Sequence, residues 1–333
     1  MSIIMCLAVI CLSLASCGGN GGSETTTAAP DNGAESGKTY TVGIIQLMQH
    51  TALDSATQGF KDALTEKLGD NVAFNYQNAA GDPTTCSTIA NQMVASNVDL
   101  IMANASPALS AAASATADIP IVGTSITSYA VALGIPDADW TGKTGFNVTG
   151  TADLAPLDQQ AAMILELVPE AKTVGIIFCS GEANSRYQVD IVRAELEAKG
   201  ITVNEYTFAD SNDIASVSTK AVAECDAIYT PTDNQVASFA GILNEIAEPA
   251  GIPVVTGDEG TCEKAGIAVL AFSYYDIGYA AGEMAVEILT EGADPAEMEI
   301  RYVTDISKRY VKERCENLGI VVPEDYEELV IKG

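Results

Sequence analysis

From Tyr40 onward, short and nearly unbroken apolar runs alternate with longer amphipathic stretches. The runs cover 40–47, 72–76, 100–103, 119–122 and 145–148, and then 173–178, 202–208, 227–230, 253–255 and 267–272. Amphipathic stretches at 53–68, 84–96, 155–167, 186–199 and 235–250 lie between them. Short β-rich runs that do not alternate with polar residues read as strands buried on both faces. Helices between them supply the cover, so the pattern predicts parallel sheets in an α/β fold. Beyond residue 273 it predicts a helix at 274–289, a strand at 299–305 and a helix at 307–318.

The series contains an echo. Thr41-Val42-Gly43-Ile44-Ile45 opens the first half, and Thr173-Val174-Gly175-Ile176-Ile177 opens the second. Five identical residues are ordinary buried-strand sequence, but the same order of elements follows each. The expected architecture is two doubly wound parallel-sheet lobes facing each other across a cleft, with ligand loops at the carboxyl ends of the strands. The extra elements after 273 allow two more crossings between lobes. The first lobe is expected to hold 39–149 plus about 275–305, and the second 150–274 plus about 306–333, joined by a three-segment hinge.

The N-terminus adds an address. Residues 3–15 are apolar but shorter than the ~20 residues of a membrane span, and they end in Leu14-Ala15-Ser16-Cys17 followed by two glycines. This resembles a bacterial lipobox, which implies cleavage before Cys17 and a diacylglycerol on its sulfur. An ordinary signal peptide with an incidental cysteine is the alternative. No Lys or Arg precedes the run, so the natural start is expected upstream of Met1. Residues 18–38 carry almost no large apolar side chain and read as a flexible tether spanning roughly 25 Å. The expected location is extracytoplasmic, anchored to the membrane through Cys17.

Composition narrows function by exclusion. With 45 acidic against 16 basic residues the net charge is -29, the wrong sign for gripping nucleic-acid phosphates. One histidine, no GxSxG elbow, no Walker loop and no CxxC pair leave most hydrolase, phosphotransfer and zinc chemistry without parts. No enzyme activity, cofactor or metal is expected. Cys86, Cys179, Cys225, Cys262 and Cys315 read mostly as small buried apolar residues.

Several residues are placed to hold a small polar ligand. Asn184 and Ser185 precede a helix, where outward-pointing N–H groups suit a carboxylate, or they simply cap that helix. Ser106-Pro107 repeats this logic in the first half, with a plain structural helix start as the alternative; Asp82-Pro83 reads as a structural cap. Asp233 and Asn234 follow the apolar run 227–230. A buried carboxylate there needs a cation, and no Lys or Arg is near in sequence. A ligand ammonium fits, and helix capping is the alternative. Asp258 has a similar, weaker position. His50 lies in the loop after the first strand, near Gln46, and faces the expected cleft or solvent. Tyr187, Tyr229, Tyr274 and Tyr275 either stack on a ligand or pack.

Segments along residues 40–320 also resemble a known family. They are Val42-Gly43-Ile44-Ile45-Gln46, His50, Ala52-Leu53-Asp54 and Gly59-Phe60, then Pro107-Ala108, Ile119-Pro120-Ile121-Val122 and Asn147-Val148-Thr149-Gly150. Glu182-Ala183-Asn184-Ser185, Pro231-Thr232-Asp233-Asn234 and Tyr275 with Gly278 complete the set. Their order and spacing resemble the ABC transporter substrate-binding proteins of the tryptophan/tyrosine-associated kind, with the type I periplasmic-binding fold. The resemblance implies a monomeric receptor that captures an amino acid in the cleft and delivers it to ABC permease subunits. The same fold also serves as a co-receptor that passes a ligand signal to a membrane kinase or chemoreceptor. Taken with the readings above, the candidate ligand set is Gln46, His50, Ser106, Pro107, Glu182, Asn184, Ser185, Asp233, Asn234 and Asp258. Where members usually carry Asp-Pro after the fourth strand this chain has Ser128-Tyr129, which puts the family's aromatic ligand in question.

Overall fold

The computed structural model describes residues 38–209 and 211–331. Cys17, the apolar run before it and tether residues 18–37 lie outside the described residues.

The first sheet is built from β1 (Tyr40–Gln46), β2 (Val72–Asn78), β3 (Leu100–Asn104), β4 (Ile121–Ile126) and β5 (Val148–Ala152). Helices α1 (Thr51–Leu68), α2 (Pro83–Ala95), α3 (Ser106–Ala115) and α4 (Tyr129–Leu133) connect them. After α5 (Leu157–Leu167) the second sheet takes β6 (Thr173–Cys179), β7 (Thr202–Phe208), β8 (Ala227–Thr230), β9 (Val254–Thr256) and β10 (Ala268–Ala271). Its connecting helices are α6 (Ala183–Ala198), α7 (Ile214–Glu224), α8 (Asn234–Ala250) and α9 (Glu259–Ala265). The chain ends with α10 (Tyr274–Val286), β11 (Arg301–Tyr302), β12 (Ser307–Tyr310), α11 (Lys312–Asn317) and β13 (Glu327–Glu328).

Strand order is β11-β5-β4-β3-β1-β2 in one sheet and β13-β12-β10-β9-β8-β6-β7 in the other. Without their late edge strands the two orders coincide, β2-β1-β3-β4-β5 against β7-β6-β8-β9-β10, so the repeated pentapeptide occupies equivalent strands β1 and β6. Its glycine has a packing reason in both lobes. A Cβ on Gly43 would lie 2.8 Å from Met93 Sδ, and one on Gly175 would lie 2.9 Å from Ile228 Cδ1.

The chain passes between the sheets after β5, after β10 and after β11. Between the second and third passages, α10 returns to the first lobe and covers one face of its sheet. There Ala281, Ala285 and Ile288 pack with Val42, Ile44, Leu100 and Met102.

The structure departs from the sequence pattern in three places, and the first is the strand expected at 299–305, which is only the short β11, Arg301–Tyr302. Residues 307–310, expected to start a helix, form β12 and pair antiparallel with β10. The open edge of β10 offers backbone partners, and the helix starts only at Lys312. Residues 145–148 were the expected fifth strand, but the strand runs Val148–Ala152. Gly145 has φ +70, which interrupts extended backbone, and the buried Thr149 and Thr151 hid the strand from a hydrophobicity pattern. The cysteines at 86, 179, 225, 262 and 315 are all buried and unpaired.

Candidate functional site

The carboxyl ends of both sheets face one small hollow. His50 and Leu53, at the start of α1, line it from the first lobe with Ser125, Thr127 and Asp153. From the other side come Asn184, the Thr232–Asn234 turn before α8, and Asp258, with Tyr274 at the second crossing. Its free volume is about 10 Å3, on the scale of one water. Any solute larger than a water therefore enters only when the lobes part. His50 Nε2 lies 3.2 Å from Asn234 Oδ1, and Gln235 Nε2 donates to Gly81 O at 3.4 Å, so the contact between lobes is direct.

The candidate residues divide into three groups. His50, Asn184, Asp233, Asn234 and Asp258 line the hollow. Glu182 and Ser185 stand directly behind it. Gln46 and the Ser106-Pro107 pair lie elsewhere. Gln46 is buried in the first lobe, donating to Met48 O and Asp54 Oδ1 and accepting from Thr57 Oγ1. Ser106 and Pro107 line a neighbouring groove of about 320 Å3, which shares Asn184 with the hollow.

Asp233 is fully used inside the protein. Oδ1 accepts from Val236 N at 2.9 Å, the helix cap left open by the sequence, and Oδ2 accepts from Cys179 N and Ser185 Oγ, both at 2.7 Å. Asp258 likewise caps α9, accepting from Thr261 N and Thr261 Oγ1. Neither Asn184 nor Ser185 holds the cap of α6. Glu182 occupies that position and its side chain turns away, accepting from Asn234 N, Asn234 Nδ2 and Gln235 N at the start of α8. The first turn of α6 thus has no side-chain cap. Ser106 is the first helical residue of α3 rather than its cap, which falls on Ala105 with φ +85 and no side-chain bond. Asp82 caps α2 as its sequence implied.

Asp153 and Ser125 are residues that reading for ligand groups missed, and Tyr274, named there only as a ring that stacks or packs, lines the hollow beside them. Asp153 follows β5 at the first crossing, fully buried. Tyr274 Oη donates to its Oδ2 at 3.0 Å, while Oδ1 has no partner. Ser125 Oγ and Asn184 Oδ1 are also buried without partners, so three orphaned polar atoms line one hollow. Buried polar atoms are seldom left unbonded, and such a cluster marks a place where a ligand supplies the missing bonds. Ser125 has φ +57 at an irregularity in the β4–β5 pairing. Strain of this kind at a strand end aims the Ser125 side chain into the hollow.

The electrostatics are one-sided. Asp153, Asp233 and Asp258 line the hollow and no Lys or Arg does. Burial pushes the Asp153 carboxyl up to about 6. Burial, and then the neighbouring Asp233, push Glu182 up to about 8, and burial raises Asp233 too. Burial lowers His50 and keeps it neutral.

A carboxyl whose folded pKa lies above its unfolded value opposes folding when ionised, and protonation removes that penalty. The ligand-free protein is therefore expected to gain stability as pH falls through 8 and then 6 (Glu182, then Asp153). Buried His50 acts the other way below its ordinary 6.5. The melting temperature should be at least about 3 °C higher at pH 6 than at pH 8.5, since ~1 kcal/mol moves a domain of this size by roughly 2–4 °C. Thermal scans across that range check it.

A cleft between two hinged α/β lobes, with unsatisfied polar groups at the carboxyl ends of both sheets, defines a solute-binding protein. Comparison with known families and structures places it further. Residues 41–329 match the family described as ABC transporter substrate binding protein, and the chain belongs to that family. Members bind solutes outside the cytoplasm for ABC transporters and are not enzymes. The chain is similar to the tyrosine-binding protein of Clostridioides difficile (strain R20291), at 34% identity over 279 residues, 83% of this chain and 79% of that one. Among solved structures it resembles the ABC domain in complex with L-Trp from Streptococcus pneumonia, with TM-score 0.83 and 31% identity, covering 88% of this chain and 100% of that one. It also resembles the ligand-free, open structure of a substrate-binding protein with adhesive properties from Clostridium difficile, with TM-score 0.66 and 33% identity over the same shares of each chain. No helix among the described residues is long and apolar enough to cross a membrane.

Proposed function

We propose that this protein captures an aromatic L-amino acid between its lobes and delivers it to the permease of an ABC importer, held at the membrane by lipidated Cys17. The observation that carries the ligand class is the unpartnered, fully buried Asp153 Oδ1 in a hollow lined by carboxylates and no cation. An ammonium group is the complement. It neutralises the carboxylate that burial destabilises, and charge-assisted hydrogen bonds in a site closed to water are strong. The uncapped first turn of α6 offers N–H groups to the α-carboxylate.

Two similarities support the aromatic side chain, the tyrosine-binding relative and the L-Trp complex. The lobe arrangement agrees with them. At nearly equal sequence identity the chain superposes better on the L-Trp complex, 0.83, than on the ligand-free open relative, 0.66. Tyr274 also borders a second cavity, of about 770 Å3.

The test is thermal unfolding of the full chain against an amino-acid panel. A micromolar ligand at 1 mM stabilises by ~4 kcal/mol, so tyrosine or tryptophan should raise the melting temperature by about 8 °C or more. No shift with any amino acid overturns the reading. Release of a Cys17→Ala variant into the culture medium is the expected sign of the anchor.

A further inference from the structure

Tyr274 is one of the larger side chains on the hollow, and it stands at the point where the chain leaves β10 for α10. Its backbone position is fixed, since Ser273 Oγ accepts from Asp276 N to cap the helix it begins. Its ring is fixed as well, lying with its centroid 5.0 Å from that of Phe272 in the core that joins the lobes. Its partner is equally constrained at the main chain, where Asp153 N donates to Ile126 O at 3.1 Å. What stays free is rotation of the Asp153 carboxylate about its last bond. The hydroxyl of Tyr274, with Thr127 acting beside it, restricts that rotation by donating to Oδ2, and Oδ1 is the oxygen left without a partner.

We propose that Tyr274 is a positioning residue for ligand capture: its hydroxyl holds one oxygen of Asp153 so that the other faces the ligand's ammonium group. The role rests on the amino-acid reading above and adds to it a residue that need not touch the ammonium itself. A second consequence follows from the same bond. A hydrogen bond donated to a carboxylate favours its ionised form, and Tyr274 and Thr127 both act on Asp153 in that direction against its burial and the charge of Asp258. The other groups around it are neutral His50 before α1, Asp233 before α8 and buried Tyr129 on α4, while Arg301 on the neighbouring β11 turns its guanidinium outward to Glu283 and Glu287. Removing the hydroxyl thus loosens the carboxylate and moves its protonation upward in pH.

The experiment compares wild type with Tyr274→Phe, which removes one oxygen and keeps the packed ring, by calorimetric titration from pH 5.5 to 8.5. The titrants are L-tryptophan, L-tyrosine and their desamino acids, and melting temperature serves as the folding control. For the amino acids, Tyr274→Phe should bind roughly 10-fold more weakly near pH 6.5, the scale of one hydrogen bond to a charged group. The loss should shrink to less than about 3-fold at pH 8.5, where Asp153 is ionised in both proteins. Binding of the desamino acids should differ little between the proteins. Amino-acid affinity left unchanged by Tyr274→Phe at every pH, or a loss equal for the desamino acids, overturns the role of Tyr274 and leaves the amino-acid reading standing. Failure of wild type to bind any amino acid overturns both.

Discussion

Asp153→Asn is expected to weaken binding of the amino-acid ligand by at least about 100-fold while making the ligand-free protein more stable above pH 7. Breaking one side of a buried ion pair typically costs ~3–5 kcal/mol, and 100-fold corresponds to roughly 2.8 kcal/mol. The opposite sign for stability comes from the same burial. Without ligand the carboxylate is surrounded by Asp258 and low-dielectric protein, and its affinity for a proton is raised to about 6. An amide of equal shape carries no charge to desolvate. A variant that binds worse and melts higher separates a ligand group from a structural one, because loss of a structural hydrogen bond lowers both. Asp118→Asn, at an exposed position, should change neither. Calorimetry and thermal unfolding of the three proteins check this, and unchanged affinity in Asp153→Asn would remove the carboxylate from the site.

The second large effect concerns the contact between α1 and α10. A Cβ on Gly278 would lie 2.0 Å from the carbonyl oxygen of Ala56, and one on Gly59 would lie 2.1 Å from the carbonyl oxygen of Tyr275. These obstacles are main chain, so no rotamer relieves them and the helices must separate. Gly278→Ala is expected to destabilise by about 3 kcal/mol, the upper part of the usual overpacking range. It should also weaken ligand binding, since α10 begins with Tyr274. Gly241→Ala in α8 is the internal contrast. Nothing lies within 4 Å of its Cβ, so the usual helical preference for alanine should stabilise by ~0.5–1 kcal/mol. Denaturant unfolding measures both, and similar effects at the two positions would contradict the close approach.

Much of the fold is legible in the sequence because both sheets are covered on two faces. Strands such as Thr173–Cys179 and Ala227–Thr230 carry apolar runs that nothing else explains. The strands that escaped are those whose burial is not written in large apolar side chains. β5 is Val-Thr-Gly-Thr-Ala, and its Gly150 lies so close to β4 that a Cβ would meet Gly123 O at 2.0 Å. β12 is Ser-Lys-Arg-Tyr, made a strand only by the edge it joins.

The site was legible in the same uneven way. An acid after β8 drew attention because its strand is conspicuous, and Asp233 proves to be a cap. Asp153 also follows the carboxyl end of a strand, but of the inconspicuous β5. The rule that ligands meet the carboxyl ends of parallel strands would have found it, had β5 been recognised. The hydroxyl of Tyr274 reaches Asp153 across 121 residues of sequence, a pairing that no local pattern records.

The return of α10 to the first lobe also bears on how the molecule comes into being. Val42, Ile44, Leu100 and Met102 stay uncovered until Ala281, Ala285 and Ile288 arrive, although every major strand of that sheet precedes residue 153. A polypeptide threaded through a membrane amino end first therefore cannot complete either half early, since β12, at 307–310, closes the other sheet later still. Such late, long-range closure slows folding and keeps the emerging chain pliable until its last tenth or so has crossed.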